Sequence, residues 1–138
     1  MSEKYYNPLV ELVYTSQSIS LLDEGDVDSI LDGAHEKNAK LNISGILIYN
    51  DGVFLQLIEG PRDSINQLFQ SISHDARHFD INLISFSEVT QRNFESWEMG
   101  NLKNAETDGL VSDNLKNIKQ SEYRDFLVAM SKLLNLHN

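Results

Sequence analysis

Gln56 lies inside the apolar stretch Gly52-Val53-Phe54-Leu55-Gln56-Leu57-Ile58-Glu59-Gly60. Strand side chains alternate with period two, so Gln56 shares a face with Phe54 and Ile58. A carboxamide at a core position must find partners or it destabilises the fold. It carries an acceptor and two donors on one group. On the residues alone, it either satisfies a loop carbonyl or addresses a bound ligand. Tyr14 brings a phenol to the inner face of an earlier strand. Asn38 brings a second amide to the inner edge of a helix. Trp97 and Met99, two apart, share one face of a short last strand. A few polar groups converging between mostly apolar walls are what a small-molecule pocket needs, here one for a flat aromatic ligand.

Other chemistry finds little support. The chain has no cysteine, which excludes disulfides, thiolate metal sites and cysteine nucleophiles. His35, His74, His78 and His137 lack the spacing of a metal site, so no metal is expected. No Ser-His-Asp arrangement can be argued from spacing, and no glycine-rich phosphate motif opens a helix. No enzymatic activity is expected.

The elements that must position these groups follow from periodicity. Leu9–Ser16 reads as a strand, with Val10, Leu12 and Tyr14 on one face and Glu11, Val13 and Thr15 on the other. Gln17–Leu22 reads as a polar loop. From about Glu24 to Asn38, Val27, Ile30, Leu31 and Ala34 follow the helical template. Leu41–Gly45 is a connection. Ile46–Tyr49 and Val53–Glu59 form a hairpin through Asn50-Asp51-Gly52. Pro61 opens a second helix running to about Asp75, with Ile65, Leu68, Phe69 and Ile72 on its apolar stripe. Ile81–Val89 is a fourth strand, Arg92-Asn93-Phe94 a turn, and Trp97 with Met99 a fifth strand.

The order β-α-β-β-α-β predicts an α+β, ferredoxin-like fold with two helices on one sheet face, plus a fifth strand. Gln120–Leu136 carries Tyr123, Phe126, Leu127, Met130, Leu133 and Leu134 at helical spacing. This C-terminal helix either offers a contact surface or caps the free face of the sheet. The expected organisation is an N-terminal extension over 1–8, one domain over 9–103, and a linker with the C-terminal helix over 104–138.

The 138 residues suit one domain. Net charge is −10, and residues Asp23 to Glu36 hold six acidic and no basic side chains. Such a surface repels phosphate backbones, so direct nucleic-acid binding is not expected. The first residues lack an apolar signal region, and no run approaches membrane-spanning length. A cytoplasmic protein without membrane contact is the expectation.

Five segments, in this order and spacing, carry a family resemblance: Leu12-Val13-Tyr14-Thr15-Ser16, Asn38-Ala39-Lys40 with Ile43-Ser44-Gly45, Gly52 to Gly60, Asp75-Ala76-Arg77-His78, and Phe94-Glu95-Ser96-Trp97-Glu98-Met99. Together the chain resembles the BLUF domain family, blue-light receptors that use a flavin, usually FAD. The resemblance spans about residues 9–102. It implies FAD as cofactor, with FMN as the alternative. It implies that Tyr14 is the photoactive tyrosine, Gln56 the switching glutamine, and Asn38 the asparagine that bonds the flavin ring edge. Trp97 and Met99 match the pair that exchange exposure near the glutamine. Asp75, Arg77 and His78 match positions near the flavin. Lys37 stands where some members have Asn or His.

In the mechanism the resemblance implies, Tyr14 gives an electron to the excited flavin and a proton follows through Gln56. Recombination leaves Gln56 rotated or tautomerised, and the flavin absorption moves to the red. No covalent adduct forms, in keeping with the absence of cysteine. Only 36 residues follow Leu102, so a stand-alone photoreceptor is expected, signalling through a partner protein or a homo-oligomer. The rival reading is a ferredoxin-like module that binds a metabolite or a subunit without photochemistry.

Overall fold

The computed structural model describes residues 6–19, 40–50, 52–94, 97–101, 122–123 and 125–129, leaving aside the side chains of Asn50 and residues 97–101. Five strands form one sheet: β1 (Leu9–Ser18), β2 (Ser44–Asn50), β3 (Val53–Pro61), β4 (His78–Glu88) and β5 (Trp97–Asn101). One helix, α1 (Arg62–Ser73), joins β3 to β4. The predicted helix over 24–38 lies outside the described residues, with Asn38 and Lys37 on it.

The strand order is β4-β1-β3-β2-β5. β3 is inserted between β1 and β2 and runs antiparallel to both. β1 in turn separates β3 from β4 and is antiparallel to β4. This is the split arrangement expected of a ferredoxin-like α+β fold. β5 is added outside β2 and is parallel to it.

The three central strands read as nearly continuous apolar runs because both sheet faces are covered. On one face, Val10, Leu12, Tyr14, Leu47, Tyr49, Phe54 and Ile58 pack with Ile65 and Leu68 of α1. On the other, Val13, Ile46, Ile48, Leu55 and Leu57 pack with Phe94 and Leu127. Residues 123 and 125–129 are helical, and Tyr123, Phe126 and Val128 pack around the fully buried Leu127. Of the two readings of the C-terminal helix, its described part therefore caps the second face.

Several boundaries shift from their sequence positions, each for a tertiary reason. β1 continues through Gln17 and Ser18, expected as loop, because Gln17 pairs with Val53 and Phe79, and Ser18 pairs with His78. β2 begins at Ser44 because Ser44 and Gly45 pair with Glu59 and Ile58. β4 starts three residues early, at His78, for the same reason. Pro61 ends β3 and precedes α1 without a side-chain cap. The cap comes instead from the N-terminal segment. Asn7 Oδ1 accepts from the Asp63 N–H at 3.0 Å, and the Arg62 N–H donates to the Pro8 carbonyl at 2.9 Å. These bonds satisfy donors that a helix start leaves unpaired.

β4 is an edge strand. It carries the exposed side chains of Phe79, Leu83 and Phe86, two register shifts against β1, and Asp80 at φ 53°.

Gly45 holds the hairpin partner of the site in place. Its φ is +149°, and an added Cβ would lie 2.1 Å from the Leu57 carbonyl oxygen. The obstacle is backbone of the central strand, which cannot turn aside. Gly45→Ala is therefore expected to cost at least about 2 kcal/mol. Chemical denaturation of both proteins measures it; an unchanged midpoint would show that β2 and β3 separate more easily than this contact implies.

Candidate functional site

The site begins with a cross-strand pair. Tyr14 on β1 stands directly opposite Gln56 on β3, and both are almost fully buried, 3% and 4% exposed. The Tyr14 hydroxyl donates to Gln56 Oε1. The phenol cannot ionise cheaply there. Burial pushes its pKa well above the usual tyrosine range, and the charge of Asp75 adds to the rise. So the pair is a neutral donor joined to a neutral acceptor in a dry environment.

With its carbonyl turned to Tyr14, Gln56 directs its amide N–H groups away. Among the described residues, nothing accepts from them. A buried amide donor without an acceptor costs about 1–3 kcal/mol. This is an observation that points to a ligand acceptor on the α1 side of the sheet.

Aromatic rings frame the pair. Phe69 of α1 lies 5.8 Å from the Tyr14 ring and His78 6.5 Å from it, centroid to centroid. Phe54 meets the His78 ring edge-on at 6.2 Å and lies 4.8 Å from Tyr49. His78 is fixed at both ring nitrogens: Nε2 lies 2.6 Å from the Ile72 carbonyl and Nδ1 2.7 Å from Ser16 Oγ. A carbonyl only accepts, so Nε2 carries a proton. In the neutral ring Nδ1 then accepts from the Ser16 hydroxyl.

Asp75 and Arg77 sit at the corner between α1 and β4. Arg77 Nε donates to both Asp75 oxygens at 2.9 and 3.0 Å, and Nη2 completes the pair. These side-chain bonds hold the Asp75 carboxyl at about 2, below its usual value. Both residues face the solvent side of the site; Asp75 acts on Tyr14 only through its charge.

Strand register places Trp97 and Met99, the last two residues expected at the site. Met99 pairs with Leu47, which pairs with Gln56, which pairs with Tyr14. Trp97 pairs with Gly45, two register positions away, opposite Ile58. Thus the backbone aligns Met99, rather than Trp97, with the Tyr14–Gln56 row.

The structure brings together Tyr14, Gln56, Asp75, Arg77 and His78, with Trp97 and Met99 at neighbouring register positions. Asn38 and Lys37 lie outside the described residues. Ser16, Tyr49, Phe54 and Phe69 were not singled out as site residues from sequence. Ser16 could have been found, since it follows Tyr14 by two and so shares its strand face. Phe69 could not, because a helix stripe gives no sign of which strand residue it meets.

A family model described as sensors of blue light using FAD matches residues 9–100. The chain belongs to the BLUF family. Residues 9–100 thus belong to a family of blue-light sensors that use a flavin, with FAD as the family's cofactor. The chain is 33% identical to the solved dark-state structure of BlrB, a BLUF protein, with TM-score 0.75, covering 91% of this chain and 96% of that one. It is 28% identical to a bacterial light-regulated adenylyl cyclase, with TM-score 0.71, covering 83% of this chain and 35% of that one. The photoactivated adenylate cyclase subunit beta of Euglena longa is 34% identical over 84 residues, 61% of this chain. The match spans 10% of that protein's length, so the cyclase activity in its name does not transfer to this chain. No helix among the described residues is long and apolar enough to cross a membrane.

The residues present fit a flavin. Among the described residues no acceptor meets the buried amide donor, the surrounding walls are aromatic and aliphatic, and a phenol stands in contact with the amide.

The Asp75–Arg77 pair yields a pH prediction. The Asp75 pKa is depressed on folding, so its stabilising contribution is present above about 3.8 and lost as pH falls through about 2. Arg77 is exposed and Asp75 partly so, so solvent screens the pair and Asp75→Asn is expected to cost only about 0.2–1 kcal/mol at neutral pH. The difference from wild type should vanish as pH falls from 4 to about 2. Denaturant midpoints across that range check this; a constant difference at all pH values would remove the ion pair as its origin.

Proposed function

We propose that Tyr14 and Gln56 are the photochemical pair of a blue-light receptor, and that the Gln56 amide is the switch. The observation that carries this reading is the buried Tyr14–Gln56 bond, whose amide end has no acceptor among the described residues. A bound flavin supplies the blue absorption and an excited state that takes an electron.

Tyr14 is suited to give that electron together with its proton. Burial keeps it protonated where an ordinary tyrosine, with a pKa of about 10, would begin to ionise. A phenol that loses an electron becomes a strong acid, and its bonded acceptor is Gln56 Oε1. The proton therefore passes to the amide. When the electron and proton return to Tyr14, no bond has been made to the protein and no net oxidation remains. What differs is the amide, which can settle with donor and acceptor exchanged. That changes the hydrogen bond Gln56 offers to the ring system and hence its colour.

Asn38 is assigned to the flavin ring edge and Lys37 to its neighbourhood, following the resemblance. Asp75, Arg77 and His78 form the rim on the α1–β4 side, where His78 steadies the Tyr14 ring. Trp97 and Met99 carry the change along β5. A ferredoxin-like module without flavin would leave the buried amide donor unexplained.

Output passes to a downstream signalling protein or through a second copy of the chain. Relatives named as cyclases, and an Escherichia coli (strain K12) relative named as a blue light- and temperature-regulated antirepressor, 29% identical over 73 residues, support an effector outside this domain. A cytoplasmic setting accords with such a partner.

Gln56→Leu preserves size and suits Phe54 and Ile58, so folding is expected to survive. It removes donor and acceptor together, and the reversible red-shifted state should disappear. Absorption spectra before and after blue light decide the matter. A normal, reversible red shift in this variant overturns the assignment.

Tyr14→Phe removes one hydroxyl and should still bind flavin, but without the red-shifted state. In wild type, the yield of that state should stay flat up to about pH 10, because Tyr14 remains protonated. A yield that falls with the midpoint of an ordinary tyrosine would mean the donor is solvent-exposed.

A further inference from the structure

β3 carries a second buried polar group, three residues beyond Gln56 and on the opposite face. Glu59 is fully buried. Its Oε1 accepts from the Ser44 hydroxyl at 3.0 Å and from the Phe94 N–H at 2.6 Å, and its Oε2 accepts from the Asn93 N–H at 2.9 Å. Arg92 closes the arrangement, donating to Ser44 Oγ at 2.8 Å, to the Glu59 carbonyl at 3.1 Å and to the Asn42 carbonyl at 2.9 Å. Asn93 Nδ2 reaches Glu11 on β1 at 3.1 Å. One carboxylate thus ties the corner 92–94 to β3 and to the start of β2, with β1 joined through Asn93.

β5 is the next described element after that corner in the chain. Trp97 is three residues beyond Phe94, a reach of about 10 Å at full extension. It pairs with Gly45, the neighbour of Ser44. β5 has five residues and, among the described residues, lies at the sheet edge and pairs with β2 alone. No tight turn fixes its register, since a parallel pair cannot be joined by a hairpin.

We infer that the Glu59 carboxylate is a latch that positions β5 on β2, and so sets how far the Trp97 and Met99 positions can respond when Gln56 switches. Glu59 touches neither Tyr14 nor Gln56, so it is a positioning residue. This inference rests on the photoreceptor reading for its light-dependent part only. The latch itself is a property of the dark protein.

The test is hydrogen exchange on the full chain loaded with FAD, in darkness and under blue light, for wild type and Glu59→Gln. The amide keeps one acceptor but sets an NH2 against the Asn93 N–H, so a charge-assisted bond is lost. The size of the light-induced red shift should not change, because the Tyr14–Gln56 pair lies on the other face. In darkness, amides of Trp97–Asn101 should exchange about ten- to a hundredfold faster, while β1 and β3 are little altered. The lit-minus-dark difference in β5 should shrink, since the strand is already loosened.

Unchanged exchange in β5, or faster exchange spread evenly over all strands, overturns the latch. If Glu59→Gln does not fold, Ser44→Ala takes its place. It removes one donor to the same oxygen and should give the same local pattern at smaller amplitude; even or absent loosening again overturns the proposal. A wild-type protein that shows no red shift sinks the photoreceptor reading instead, and leaves the dark comparison of β5 intact.

Discussion

A carboxamide placed inside a sheet must have both ends bonded, and the rest of this site follows from that demand. Gln56 meets it on one side with Tyr14, across a single strand pair. The other side shares the α1 face of the sheet, where Phe69 packs on Tyr14 and Phe54 on His78. Neutral groups are required throughout. A charged partner at that depth would cost several kcal/mol to desolvate, and it would also fix the amide in one orientation. A phenol whose ionisation is suppressed by burial avoids both.

β3 serves two purposes at once because a strand presents alternate faces. Gln56 looks toward α1, and Glu59 looks away from it into the buried corner of Arg92, Asn93 and Phe94. The strand therefore joins a neutral, changeable bond on one face to a charged, well-bonded anchor on the other. The first is a single bond between neutral groups. The second, with three donors to one carboxylate, resists change.

Much of this was legible in the chain itself. The period-two runs placed Tyr14 and Gln56 on the same sheet face, and the amide stood out because its neighbours are apolar. Helix α1 was visible in Ile65, Leu68, Phe69 and Ile72, although its start moved by one residue and its cap came from Asn7. The ends of β1, β2 and β4 were not legible. Residues such as Gln17, Ser18 and Ser44 become strand only through partners far along the chain. Glu59 read as the polar end of a strand, because its burial depends on a corner that folds back from 33 or more residues later. His78 gave no sign of its double anchoring, which needs Ser16 and Ile72 brought together by β4.

The strand order also governs when the site can exist. β1 is made first, yet both its neighbours in the sheet come later: β3, which supplies Gln56 42 residues after Tyr14, and β4, whose Glu88 pairs with Val10. At a ribosome speed of about 5–20 residues per second, Tyr14 waits about 2–8 seconds before its partner has even been synthesised. The sheet closes only once β4 has been added. Until β3 arrives β1 has two open edges, and until β4 arrives it has one, the kind of apolar edge that chaperones shield. A pocket that uses the Tyr14–Gln56 pair therefore has no half-formed version before β3 is made.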